Sequence, residues 1–113
     1  MATRMSAALA PELAETQAIL GLSQSELADL FGVRQPSLAS WRTGRLPVVR
    51  RASVERLHDL ALVLRQELKP SRIPEIVRTP DAWLGNRSML EVSRAEGVAP
   101  IYGYLSRLFA YGG

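Results

Sequence analysis

The positive charge of this chain is concentrated in one short window. Six of its 14 basic side chains lie between residues 34 and 56, and the same window contains a single carboxylate, Glu55. Outside the window, eight basic and ten acidic side chains nearly balance. Clustered guanidinium groups bind phosphate, so the window predicts contact with a nucleic-acid backbone. The alternative is a positive, solvated surface with no partner. The six side chains are Arg34, Arg42, Arg45, Arg50, Arg51 and Arg56.

The segment Ser23 to Gly44 contains the elements that would position this charge. Ser23 and Glu26 have capping-box spacing, which predicts a helix beginning at Gln24. Gly32 can end that helix in a left-handed conformation, and Gly44 marks the end of a second one. The apolar positions at helical spacing are Leu27, Ala28, Leu30 and Phe31 in the first helix, then Val33, Leu38 and Trp41. We therefore predict a helix-turn-helix, although any small helical bundle contains such pairs.

The remaining pattern is helical, and we predict an all-α fold. A first helix should run from Pro11 or Glu12 to Leu20, and a long one from Ala52 to Leu68. Lys69-Pro70 should end the long helix, which divides the chain into an N-terminal domain (1–69) and a small helical C-terminal module (70–113). The module's predicted helices are Ile73–Val77, Asp81–Leu84, Asn86–Gly97 and Val98–Tyr111.

The composition argues against catalysis. The chain has no cysteine and one histidine, which excludes disulfides and thiolate metal sites and makes a zinc site impossible to build from histidines. His58 borders the stripe of the long helix, where a packed or solvated ring is the expected role. No nucleophile-elbow or glycine-rich phosphate motif is present. We expect no enzyme, no cofactor, no metal and no membrane contact, in a cytoplasmic protein.

Aromatic side chains are concentrated near the C-terminus. Four of the seven, Tyr102, Tyr104, Phe109 and Tyr111, lie in the last 12 positions. A helix that is apolar around most of its circumference must be covered on several sides, so this one predicts a partner surface or a dimer interface. Trp41 is expected in the core, whereas Trp83 could pack internally or meet a partner. Arg107 could be solvated or could reach an anionic site.

The segment Ser23 to Gly44 resembles the Cro/repressor (Xre) type of helix-turn-helix, matching it at Gln24, Leu27, Ala28, Gly32, Val33, Leu38, Trp41 and Gly44. The resemblance implies that Gln24 contacts phosphate. It also implies that Arg34, Gln35 and Ser37, with Ser40 one turn later, read base edges. The charge cluster adds Arg42 and Arg45 as phosphate contacts. Pro36 departs from the polar residue usual at this edge.

The C-terminal part resembles the antitoxin module of RES–Xre toxin–antitoxin pairs, the Xre/MbcA/ParS group. The similarity lies in Pro80-Asp81-Ala82-Trp83-Leu84, in Met89-Leu90-Glu91 and in a last helix ending Tyr111-Gly112. Met89 replaces a common proline, and the stretch after Leu84 is shortened. The resemblance implies a homodimer that represses its own operon by binding operator DNA and neutralises a NAD-degrading RES-domain toxin. The extreme C-terminus would lie near the toxin's active site.

Taken together, the aromatic pattern and this resemblance predict a partner-binding set: Trp83, Tyr102, Leu105, Arg107, Phe109, Tyr111, Gly112 and Gly113. The alternative function is a stand-alone Xre-family transcriptional regulator whose C-terminal part only mediates dimerisation.

Overall fold

Seven α-helices make up most of the part of the chain that the structure describes. This computed structural model describes the backbone of residues 9–112 and the side chains of residues 9–109. Within that range there is no β-strand, only a single bridge between Asp81 and Arg87, so the all-α prediction is confirmed. The helices are α1 (Ala10–Leu20), α2 (Gln24–Leu30), α3 (Gln35–Arg42), α4 (Arg51–Glu67), α5 (Ile73–Arg78), α6 (Met89–Glu96) and α7 (Ala99–Gly112).

Helix α1 ends where the sequence predicts, at a glycine that two constraints require. Gly21 has φ of +64°, the left-handed conformation, and its N–H donates to Ala18 O. A Cβ at this position would lie 2.7 Å from Pro74 Cγ, so a larger residue would also collide with α5. The start differs slightly from the prediction, because α1 begins at Ala10 and Pro11 lies inside its first turn.

Helices α2 and α3 form the predicted pair. The Ser23 hydroxyl accepts the Glu26 N–H at 3.0 Å, and Glu26 Oε1 accepts the Ser23 N–H at 2.9 Å, so the capping box is formed and α2 begins at Gln24. Gly32 reverses the chain with φ of +67°. The turn is closed by the Val33 N–H, which donates to Ala28 O at 3.0 Å.

Helix α4 carries the predicted apolar stripe but is displaced by one residue. It runs from Arg51 to Glu67, and both Leu68 and Lys69 are extended. Pro70 disfavours a helical conformation at Lys69, the residue before it, so the helix cannot continue through this point. Its buried side chains pack against α1, and together they form the centre of the core. These α4 residues are Val54, Leu57, Leu60, Ala61 and Leu64.

Helix α5 begins at Ile73 as predicted, whereas the last two helices begin later than the sequence pattern indicates. Ser88 and Glu91 form a second capping box, so α6 starts at Met89 and not at Asn86. The predicted helix at 81–84 is a 3₁₀ turn, Ala82–Leu84, whose Trp83 N–H donates to Asp81 Oδ1 at 2.8 Å. The S-x-x-E spacing of Ser88 and Glu91 is the sequence signal of this start.

Residues on both sides of Lys69 share one cluster of buried side chains. Leu27, Leu38 and Leu64 belong to it from the N-terminal side, and Ile73 and Val92 from the other. The chain does change direction at Lys69-Pro70, through the 3₁₀ turn Pro70–Arg72. The two segments are therefore packed together, and the division into two domains at Lys69 stays a prediction.

Arg78 joins the C-terminal segment to the beginning of the helix-turn-helix. Its guanidinium binds the Glu26 carboxylate through both oxygens, Nε to Oε2 at 3.0 Å and Nη2 to Oε1 at 2.8 Å. It also donates to Gly21 O at 2.6 Å and to Pro74 O at 2.7 Å. Hydrogen bonds from Arg78, followed by the Ser23 N–H, lower the pKa of Glu26 to about 2. One side chain thus donates hydrogen bonds both to the carbonyl end of α1 and to the Glu26 carboxylate in the first turn of α2.

We expect Glu26→Gln to lower the free energy of unfolding by about 1 kcal/mol near neutral pH, because it removes a charge-assisted pair that is partly exposed to solvent. The pKa of Glu26 is depressed in the folded state, so its contribution is complete above the unfolded pKa. It should be lost as the pH falls from about 5 toward 2. Urea unfolding of the wild-type chain and of Glu26→Gln across this pH range measures the difference in their free energies of unfolding.

Arg72→Ala is the control for this experiment. Its pair with Glu75 spans 3.6 Å and is well exposed, so its loss should change stability little at any pH. The difference in free energy of unfolding between the wild-type chain and Glu26→Gln could instead stay constant down to pH 2. That result would contradict a stabilising role for the charge of Glu26.

Candidate nucleic-acid interface

Helix α3 has one buried face and one exposed end. Leu38 and Trp41, three residues apart, are 0% and 4% exposed, so they lie against the rest of the fold. Arg34, Gln35 and Ser37 are exposed at the N-terminal end of the helix. We call these three residues the recognition edge. Its polar groups can donate to and accept from an external surface.

The buried face of α3 is held by the helix before it. Leu27 and Ala28 of α2 are buried, and the small Ala28 allows the two helices to pack closely. Phe31 meets Trp41 edge to face, with ring centroids 5.5 Å apart and an interplanar angle of 68°. Trp41 is therefore a core residue, as expected from the sequence.

Two arginines of the charge cluster act as internal braces. Arg50 Nη1 donates to Phe31 O at 3.0 Å, and its guanidinium lies 5.7 Å from the centre of the Trp41 ring. Arg42 Nη2 donates to Gln17 Oε1 on α1, while Gln17 Nε2 donates to Leu22 O at 3.0 Å. The half-buried Arg42 is thus engaged within the fold, and its contact with phosphate stays a prediction.

The exposed cations of the cluster are Arg34, Arg45 and Arg56. Arg51 differs from them because it pairs with Glu55 at 3.4 Å. Gln24, the first residue of α2, is exposed as a phosphate contact requires. Ser40 is half-buried, and its carbonyl accepts the Thr43 hydroxyl at 2.9 Å and the Arg45 N–H at 3.1 Å. Ser40 thus shapes the end of α3 and is less accessible than the recognition edge.

The C-terminal helix also divides into buried and exposed sides. Ile101 and Leu105 are 0% and 2% exposed, so Leu105 packs in the chain's own core and cannot be part of an external binding surface. Leu108, which follows Leu105 by three residues, is 41% exposed. Phe109 is half-buried against the core, and Tyr102 is 37% exposed.

Trp83 and Arg107 form an exposed stack. Trp83 is 53% exposed, and the Arg107 guanidinium lies 3.9 Å from the centre of its ring. Tyr104, one turn before Arg107, donates its hydroxyl to Asp81 Oδ2 at 3.1 Å. Burial and this carboxylate raise the pKa of Tyr104. We refer to Trp83, Arg107 and Leu108 as the aromatic–arginine surface. The side chain of Tyr111 and the terminal Gly112 and Gly113 lie outside the side chains that the structure describes.

The single histidine, His58, forms a contact between two helices. His58 Nε2 lies 2.6 Å from Glu15 Oε1, and Arg65 Nη1 lies 3.3 Å from the other oxygen of Glu15. These contacts join α4 to α1, and the His58 hydrogen bond is the main cause that lowers the pKa of Glu15. Across the described residues, no cluster of three His, Asp or Glu side chains could hold a metal ion.

Comparisons of this chain with protein-family models, with curated proteins and with solved structures found no match. Among the helices at residues 10–112, none is both long and apolar enough to cross a membrane. Any functional assignment therefore rests on the residues and geometry described above.

Proposed function

We propose that this protein binds duplex DNA through α2 and α3, with the recognition edge in the major groove. The observation that carries this proposal is the division of α3, whose Leu38 and Trp41 are buried while Arg34, Gln35 and Ser37 are exposed. An arginine and a glutamine at one exposed helix end have the donors and acceptors that read base edges. Exposed Gln24 and Arg45 supply phosphate contacts that set the register of the helix.

The fuller proposal is that the chain is the antitoxin of a RES–Xre pair, which represses its own operon and neutralises a NAD-degrading toxin. The support is the resemblance of the C-terminal segment, together with an exposed surface suited to a protein partner. Trp83, Arg107 and Leu108 combine an aromatic ring, a guanidinium and an aliphatic side chain, which are typical of the centre of protein interfaces.

A stand-alone regulator whose C-terminal part only dimerises is the second candidate. The same exposed Trp83 and Leu108 favour it, because a second copy of this chain could cover them. Co-expression with the product of a neighbouring gene separates the two candidates. Co-purification of a RES-domain protein supports the antitoxin, whereas a dimer of this chain alone supports the regulator.

We expect Gln35→Ala to relax sequence preference at one base pair, with a loss on the order of 1–3 kcal/mol for the preferred site. Gln24→Ala is the matched control, because a lost phosphate contact should weaken binding to all sequences alike. Both effects can be measured by titrating labelled duplexes at fixed salt. Equal losses of preference in the two variants would contradict the assignment of Gln35 to base reading.

For the toxin, we expect Trp83→Ala and Arg107→Ala to reduce co-purification and to leave DNA affinity unchanged. Each removes an exposed anchor, for which losses of about 2 kcal/mol are typical at interfaces. Arg72→Ala, on an exposed ion pair outside this surface, serves as the control. Wild-type co-purification by both variants would contradict the proposed surface.

A truncation tests the role of the extreme C-terminus. Deleting residues 110–113 leaves Ile101 and Leu105 in the core, whereas a deletion from Leu105 onward would disturb the fold itself. We expect the shorter truncation to bind the toxin yet fail to protect cellular NAD. Full protection would contradict a role for the terminus at the toxin's active site.

A further inference from the structure

A cleft separates the helix-turn-helix from the last two helices. Its walls are the end of α2, the first two turns of α4 and the junction between α6 and α7. Its volume is about 610 Å³, within the range that accommodates small molecules in proteins. None of the DNA-binding or partner-binding roles proposed above uses this cleft, although Tyr102 lies on its wall.

The lining of the cleft combines apolar side chains with positively charged ones. Three arginines, Arg50, Arg56 and Arg94, line it together with one carboxylate, Glu96. Glu96 is already paired, since Arg87 Nη2 lies 2.6 Å from its Oε2. The positive charge of the lining therefore exceeds its negative charge, which attracts anions to the cleft. The apolar side chains of the lining are Leu30, Phe31, Leu57, Val98 and the ring of Tyr102.

The three arginines differ in their availability to a ligand. Arg50 is held by Phe31 O and the Trp41 ring. Arg94 lies 3.3 Å from Asp29, but both side chains are more than half exposed, so that pair is weak. Arg56 is exposed and makes no hydrogen bond or ion pair with any residue that the structure describes. Arg56 is thus the first cation that an incoming anion would meet.

We propose that this cleft binds a small amphipathic anion, a carboxylate with an apolar aliphatic or aromatic body. Arg56 and Arg94 bind the head group, and the body packs on Phe31, Leu57 and Tyr102. Tyr102 has a neutral hydroxyl near pH 7, which can donate to the ligand; burial, followed by the charge of Asp59, raises its pKa further. The apolar lining distinguishes this ligand from an inorganic anion, which would gain nothing from it.

Occupation of the cleft would be coupled to DNA binding. Arg50 lines the cleft and also braces Trp41 and the Phe31 carbonyl, which support α3. A carboxylate that Arg56 and Arg94 hold in the cleft also attracts the Arg50 guanidinium, which weakens this brace and thereby changes the position of the recognition edge. By linkage, a ligand that lowers DNA affinity is itself bound less tightly by the DNA complex. This coupling rests on the proposed DNA-binding function, but ligand binding itself does not.

Fluorescence of 8-anilinonaphthalene-1-sulfonate tests the site in the full-length chain without DNA. We expect saturable enhancement at one site, and binding about tenfold weaker in Arg56→Ala because one charge-assisted contact is lost. Arg72→Ala should bind like the wild-type chain. Decanoate and 1-naphthoate should displace the dye, and inorganic phosphate at the same concentration should not.

Three results would overturn the proposal: equal dye affinity in Arg56→Ala and Arg72→Ala, no displacement by either carboxylate, or displacement by phosphate as effective as by decanoate. A second variant, Ala99→Trp, places a large side chain in the cleft and should abolish the dye signal while circular dichroism shows an intact fold. Operator titration with and without decanoate then measures the coupling. A chain that binds the dye but no DNA would contradict the DNA-binding function and leave the anion site standing.

Discussion

The placement of Arg78 is the constraint on which the helix-turn-helix depends. The carbonyl end of α1 and the Glu26 carboxylate in the first turn of α2 are separated by only a few residues, and both need hydrogen-bonding partners. Arg78 supplies them together by binding Gly21 O and both carboxylate oxygens of Glu26. The beginning of the helix-turn-helix is thus fixed by a residue from the C-terminal segment. Gly21 makes this possible, since only a glycine permits the close approach of Pro74.

The arginine cluster then divides into two groups with different physical roles. Arg42 and Arg50 turn inward and brace α3 against α1 and against the turn at Phe31. Arg34, Arg45 and Arg56 remain exposed and give the surface its positive potential. The internal braces hold α3 so that Leu38 and Trp41 stay buried and the recognition edge faces outward. The inward arginines therefore stabilise the helix pair, and the exposed arginines make its outer surface positive.

Local signals in the sequence were sufficient to predict much of the fold. The capping box at Ser23, the left-handed Gly32 and the period of α4 identified their elements to within a residue or two. Long-range contacts could not be read in this way, because the partners of Arg42 and Arg78 are brought together only by folding. For the same reason the sequence did not separate the buried Leu105 from the exposed Leu108, since both are apolar positions of one helix. Exposure of Gln24 and of the recognition edge agrees with the predicted site, but its function stays a prediction.

The most direct test of the central claim, that α3 reads DNA, is selection of bound duplexes from a randomised library by the purified full-length chain, followed by sequencing. We expect enrichment of a defined element, with the strongest preference at the few adjacent base pairs that one helix end can reach. Binding without enrichment would reduce the role of this surface to contact with phosphate. If no DNA were retained even at low salt, the proposal that this chain binds DNA through α3 would be contradicted.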